Sequence, residues 1–193
     1  MMPLCGGMWS GRLNAGGLVF LLPAIVAAGC RQPHPKTSWN QSRLIAALAN
    51  PDVGIREESA RLLGERRDDS AFWPLVRALG DPQWTVRNDA VESLAQLGDR
   101  RAEVPLLKSL KDPHWWVRTS ATQALAQMQS RAAVVPLIFA LRDDNESVRV
   151  GAAEALGQLG DKRARKPLEN ALRDPISRVR AAAADALGEL GGR

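Results

Sequence analysis

Pro105-Leu106-Leu107-Lys108-Ser109-Leu110-Lys111-Asp112-Pro113-His114-Trp115-Trp116-Val117-Arg118 is the stretch that decides the fold. Leu106, Leu107 and Leu110 put an apolar stripe on one side of a short helix. Asp112-Pro113 forces a turn, because proline cannot continue a helix. A second helix then carries Val117, Ala121, Leu125 and Met128, at helical spacings of four, four and three. The first helix is expected to start at Pro105, since a missing N–H costs nothing at the first helical position.

The same pattern returns every 31 residues. Arg56, Arg87, Arg118, Arg149 and Arg180 keep this step, as do Leu48, Leu79, Leu110, Leu141 and Leu172, and Leu63, Leu94, Leu125, Leu156 and Leu187. Pro74, Pro105, Pro136 and Pro167 follow it, and so do Asp81, Asp112, Asp143 and Asp174. Five units cover residues 39–193, divided as 39–69, 70–100, 101–131, 132–162 and 163–193. Gly98, Gly160 and Gly191 are expected just past the second helix of their units, as terminating glycines. No such helix pair can bury its stripe alone, so neighbours must stack. The fold class is therefore all-α, and Leu125→Ala is expected to break the fold.

The pattern A-V-P-L-(x)3-L-x-D-P-(x)3-V-R-(x)2-A-(x)3-L-(x)2-L-G resembles the HEAT-like repeats first noted in phycobiliprotein lyases, over all five units. The resemblance implies a right-handed α-solenoid with the second helices on its concave side. It also implies that each ladder arginine bonds a turn aspartate and backbone carbonyls of a neighbouring unit. Fold alone says little about function.

Residues 1–29 differ from the rest. They hold one charged residue, Arg12, followed by the apolar run Leu18–Ala28. That run is too short to span a bilayer, which takes about 20 residues, and fits the apolar region of a secretory signal peptide. Val26-Ala27-Ala28-Gly29-Cys30 resembles the lipobox of bacterial lipoproteins, which implies cleavage before Cys30 and acylation of its thiol. An ordinary signal peptide or an uncleaved anchor, with Cys30 incidental, is the other reading. Residues 30–38 form a polar, proline-containing tether. Cys5 would leave with the leader, so the mature chain has one cysteine and no internal disulfide. Arg31 is not the aspartate that resembles an inner-membrane retention signal, which favours the outer membrane within the cell envelope.

Several surface positions are candidates for binding a protein partner. Along the second helices the period aligns Arg61, Glu92, Gln123, Glu154 and Asp185, and beside them Glu65, Gln96, Gln127, Gln158 and Glu189. This acidic, amide-rich side is either a binding surface or a solvated face. Trp84 and Trp115 are equivalent residues placed in the turn before the second helix, with Trp116 next, where other units have Val53, Glu146 and Ser177. Tryptophan is enriched at binding hot spots; the other reading is that the pair pack on each other and shield the turn. Phe139 replaces Arg77, Lys108 and Asn170 of other units, so it is expected to face outward. Basic residues gather at Arg100, Arg131 and Lys162 between units and at Lys111, Arg142 and Arg173 after the first helices. That edge is expected to face anionic headgroups.

Asn50, Arg43 and Arg66 make the first unit polar, like a capping repeat. The last unit shows no such change, so its outer side is a candidate for self-association. Chemistry is poorly provided for: no catalytic group, cofactor site or metal site is expected. His34 precedes Pro35 and His114 precedes Trp115, which does not match the His-Glu pairs of HEAT-like deoxyhypusine hydroxylases. No phosphate loop or nucleophile elbow is present. The expected function is a membrane-tethered scaffold or adaptor that is not an enzyme. Alternatives are a chromophore-lyase-like or chaperone-like helper, or a nucleic-acid-binding protein if the chain is not exported. Export and an acidic concave face argue against nucleic acid.

Overall fold

The structure is a computed structural model that describes Pro35 and residues 37–191. The expected leader, Cys30 and most of the tether lie outside the described residues. Residues 33–193 form one compact unit, and its described part is all-helical. The helices are α1 (Gln41–Ala47), α2 (Val53–Arg66), α3 (Phe72–Ala78), α4 (Trp84–Leu97), α5 (Glu103–Ser109), α6 (Trp115–Gln127), α7 (Val134–Ala140), α8 (Glu146–Leu159), α9 (Arg165–Ala171) and α10 (Ser177–Gly191). Odd-numbered helices are the short first helices of the units and even-numbered ones the long second helices.

Each of α3, α5, α7 and α9 is entered through a 3₁₀ turn, and a side chain one repeat apart closes each turn. Asp68, Asp99, Ser130 and Asp161 accept the N–H groups of Ser70, Arg101, Ala133 and Arg163. The first helices therefore begin two residues before their prolines, at Phe72, Glu103, Val134 and Arg165, and not at Pro74, Pro105, Pro136 and Pro167. The first four N–H groups of any helix lack intrahelical acceptors, so proline is as harmless third as first. Gly98 and Gly160 end α4 and α8 at φ near +68° and +67°. Gly191 departs from expectation and lies inside α10. Arg67 and Gln129 occupy the left-handed position in their units, both at φ +52°.

Leu44, Leu75, Leu106, Leu137 and Leu168 from the first helices are fully buried, as are Leu63, Leu94, Leu125 and Leu156 from the second. They form one continuous core running through all units. Successive second helices pack directly on one another, whereas the first helices pack mainly on their own partner and only weakly on each other. The array thus bends toward the second helices, whose free face is concave. Small residues allow this approach. A Cβ on Gly64 would lie 2.7 Å from the Cα of Ser93, and one on Gly157 would lie 2.9 Å from the Cα of Ala186.

The arginine ladder ties units together. Arg56, Arg87, Arg118 and Arg149 each give Nε and Nη2 to the carboxylate of Asp81, Asp112, Asp143 and Asp174 in the next unit. Their Nη1 groups bond two carbonyls of the turn preceding the same helix, as Arg87 does with Asp81 and Pro82. The carbonyls belong to the arginine's own unit, so only the aspartate comes from a neighbour. A side chain anchored one turn below its helix cannot also reach the next unit's backbone. Each aspartate further accepts the N–H two residues on, at 2.8–2.9 Å. Among the described residues, Arg180 bonds only the carbonyls of Asp174 and Pro175.

At the other end Asn50 replaces the aspartate and accepts from Asp52. The residue one period before Arg56 is Ile25 and not arginine, so a neutral amide suits position 50. Arg66 donates to the carbonyls of Thr37 and Trp39, and Arg43 lies 3.8 Å over the Trp39 ring. These contacts close the first unit.

Candidate partner-binding site

The concave face is built from the second helices. Glu92, Gln123, Glu154 and Asp185 are all exposed and stand in one row across α4, α6, α8 and α10. Gln96, Gln127, Gln158 and Glu189 form the neighbouring row and are exposed too. Two shallow grooves run between these helices. One is lined by Glu92, Gln96, Ser120, Gln123 and Gln127, the other by Gln123, Gln127, Glu154 and Gln158. Acceptors and amides repeat along both, at the period of the units.

Beside α2, carboxylates crowd around Asp89. Burial pushes the Asp89 carboxyl up to about 7, and the nearby charges of Glu57 and Glu92 push it further than Arg61 pulls it back. Arg61 is held by Glu58 and Glu65 on its own helix. Asn88 donates to Glu92 at 2.9 Å, and its own Oδ1 is buried with no acceptor role filled.

The aromatic residues sit at the start of the second helices. Trp84 and Trp115 are the first residues of α4 and α6, not part of the preceding turn. They do not pack on each other. Trp84 stacks on His114, ring centroids 3.9 Å apart and planes within 8°. His114 lies against Trp115 at 5.9 Å, and Trp116 closes the group at 5.0 Å from Trp115 and 6.4 Å from Trp84. His114 also caps α6, accepting from the Trp116 N–H. Trp84 and Trp115 are half-buried, whereas Trp116 is 47% exposed. Trp116, Ser120, Gln123 and Gln127 follow one helical stripe, so this exposed indole heads the concave row.

Matches to models of the HEAT repeats cover residues 42–126 and 134–193. The chain belongs to the HEAT repeat family. The PBS lyase HEAT-like repeat also matches it, at residues 117–143. None of the curated proteins matches this HEAT-repeat chain. Among solved structures it is similar to the complex of CpcE and CpcF of phycocyanin lyase from Nostoc sp. PCC7120. That similarity is 27% identity at a TM-score of 0.72, over 92% of this chain and 71% of that one. Human deoxyhypusine hydroxylase shares the fold at 21% identity and a TM-score of 0.56, over 79% and 74% of the two chains. So does a designed armadillo repeat protein in complex with the peptide (KR)4, at 21% and 0.61, over 78% and 81%.

Phe139 is 71% exposed, but on α7, away from the concave rows. It joins residues that the sequence reading passed over: Trp73, Val104 and Val135, exposed by 63%, 60% and 47%. The signal was available. Val135 lies four residues before Phe139 and shares its face, and Trp73 and Val104 are its equivalents at the period of 31. Among the described residues no helix is long and apolar enough to cross a membrane, and no three His, Cys, Asp or Glu side chains converge as metal ligands would.

Proposed function

We propose that this HEAT-repeat chain is a scaffold that binds an extended segment of another protein along its concave face, and that an acylated Cys30 tethers it in the cell envelope. The row Glu92, Gln123, Glu154 and Asp185 carries this reading, because it offers acceptors at one regular step with Trp116 at its head. Such a surface suits a segment rich in donors and positive charge. A solenoid of the same fold, the designed armadillo protein, is in complex with the peptide (KR)4, which makes the chemistry a reasonable one to test. Exposed carboxylates give modest energy singly, so the reading relies on many contacts repeated along the groove.

The test is fluorescence anisotropy with labelled (KR)4 peptide and, in parallel, crosslinking of the tagged chain in its native membranes. Glu92→Lys with Glu154→Lys, and separately Trp115→Ala with Trp116→Ala, are expected to abolish peptide binding and the specific crosslink. Binding that survives both pairs overturns the concave site. Metabolic labelling with palmitate that persists in Cys30→Ser overturns the tether. The likeness to a phycocyanin lyase complex favours a second reading, an assembly helper of chromophore-lyase type. A change in the visible spectrum of a phycocyanin chromophore on mixing with the chain would support it.

A further inference from the structure

Among the described residues, most of the large apolar side chains that stand exposed lie on the outer side of the array. Trp73 on α3, Val104 on α5 and Val135 with Phe139 on α7 stand outward from three successive first helices. Trp73 sets its ring edge-on to that of Phe72, 5.0 Å between ring centres, and is otherwise largely exposed. Val104, Val135 and Phe139 line the groove between α5 and α7, and Trp73 on α3 extends the row beyond it. Phe139 forms the shared wall of two grooves, between α5 and α7 and between α7 and α9.

Bases surround this row. Arg77, Lys108, Lys111, Arg142, Lys166 and Arg173 are exposed, and the ion pairs of the described residues include none of them. Asp143 and Asp174, at the feet of the grooves, are already neutralised by Arg118 and Arg149. Asp69, Asp144 and Glu169 are the exposed acids beside these helices and Glu103 is held by Ser130, so the six bases outnumber them. The bases have long apolar stems that can lie along a hydrophobic surface while their heads stay in water.

We infer that the outer surface of α3, α5 and α7 docks on an anionic lipid bilayer, with Trp73, Val104, Val135 and Phe139 entering the interface and the flanking bases meeting headgroup phosphates. The bilayer is favoured over an acidic protein by shape. A segment lying in the groove between α5 and α7 would cover Val104, Val135 and Phe139 but leave Trp73 on α3 bare, whereas a bilayer surface covers all four. Tryptophan and phenylalanine flanked by Lys and Arg is the composition that interfacial binding uses. This surface is independent of the concave site and of acylation at Cys30.

The test uses the full chain carrying Cys30→Ser, so that no acyl chain contributes, in co-sedimentation with vesicles of phosphatidylcholine alone or mixed with phosphatidylglycerol. The readout is the ratio of binding to anionic over neutral vesicles, because residues 1–29 are common to every variant. The ratio is expected to be large at low salt and to fall as salt is added. Each base removed near the surface should lower anionic binding about fivefold, so Lys108→Glu with Arg142→Glu should nearly abolish it. Trp73→Ser with Phe139→Ser should lower binding to both vesicle types. All four side chains are exposed, so the melting curves should match the parent. A ratio near one, a ratio untouched by the charge reversals, or total binding untouched by Trp73→Ser with Phe139→Ser, overturns the inference. Binding of poly-glutamate that the charge reversals abolish, with no vesicle binding, would reassign the surface to an acidic protein.

Discussion

Arg87 and Asp112 meet across the boundary between the second and third units with both carboxylate oxygens engaged. Nε reaches Oδ2 at 2.7 Å and Nη2 reaches Oδ1 at 2.8 Å. The contact is mostly buried, with about a tenth of either side chain exposed. Breaking such a pair leaves a charge without a partner in a poorly solvated place. Arg87→Ala is therefore expected to cost about 3–5 kcal/mol. Arg180 makes the same carbonyl contacts but is exposed and has no aspartate partner, so Arg180→Ala should cost less than about 1 kcal/mol. Chemical denaturation of both variants checks this. Equal costs would mean that the carbonyl clamp, not the ion pair, holds the units together.

Stability should vary with pH in two opposite ways. Asp89 has its carboxyl raised to about 7, so the folded chain holds a proton there that the unfolded chain releases near 3.8. Stability must then fall as pH rises from about 4 to about 7. Each pKa unit is worth about 1.4 kcal/mol, and residual solvent screens part of it, so Asp89→Asn should gain on the order of 2 kcal/mol at pH 8 and little at pH 4. For Asp81, Asp112 and Asp174 burial alone would raise the carboxyl, but the facing guanidiniums and N–H groups hold it below 3.8. Their contribution is present above the ordinary carboxylate value and is lost as pH falls through their lowered values. Melting temperature against pH should peak between the two regimes, and Asp89→Asn should flatten only the upper limb.

Glycine has opposite meanings at two equivalent positions. Gly64 faces Ser93 so closely that an added Cβ meets its backbone at 2.7 Å. Gly64→Ala must push α2 and α4 apart, at a cost of about 1–3 kcal/mol. Gly188 occupies the same position in α10 and an added Cβ there meets nothing within 4 Å. Gly188→Ala should stabilise by up to about 1 kcal/mol through helix propensity. A thermal melt distinguishes the two, and a loss at Gly188 would show that something covers that face.

Leu125 and Leu187 are also equivalent, but Leu125 is fully buried and Leu187 is half-buried. Leu125→Ala should cost about 2–5 kcal/mol, the range for a buried leucine with its cavity. Leu187→Ala should cost clearly less. An unchanged melt for Leu125→Ala would contradict the continuous core.

Much of the architecture was legible in the period of 31. Leucines that recur in phase must face the same core, and arginines that recur with aspartates must meet them at one fixed geometry. The helix starts were less legible. Asp68, Asp99, Ser130 and Asp161 recur in phase and close the 3₁₀ turns, yet the prolines drew attention two residues too late. The packing of the aromatic group was less legible for a similar reason. Trp84 and Trp115 look like partners because they are equivalent, but equivalent residues stand a full unit apart, and His114 from the intervening turn fills the space. On the outer surface Phe139 stood out because its equivalents are polar. Val104 and Val135 did not, because valine in an apolar helix reads as core until the face is known.

Periodicity by itself determined that this chain is a stack of helix pairs, which residues are equivalent, and which of them fill the core, because a repeated unit must bury the same stripe each time. Only the tertiary structure decided what lies between the units. The closeness of Gly64 to Ser93, the stacking of Trp84 on His114, the lone position of Arg180 and the outward row from Trp73 to Phe139 all depend on how far and at what angle one unit follows the last. That step is set by the packing of side chains from two units at once, and no single repeat contains it.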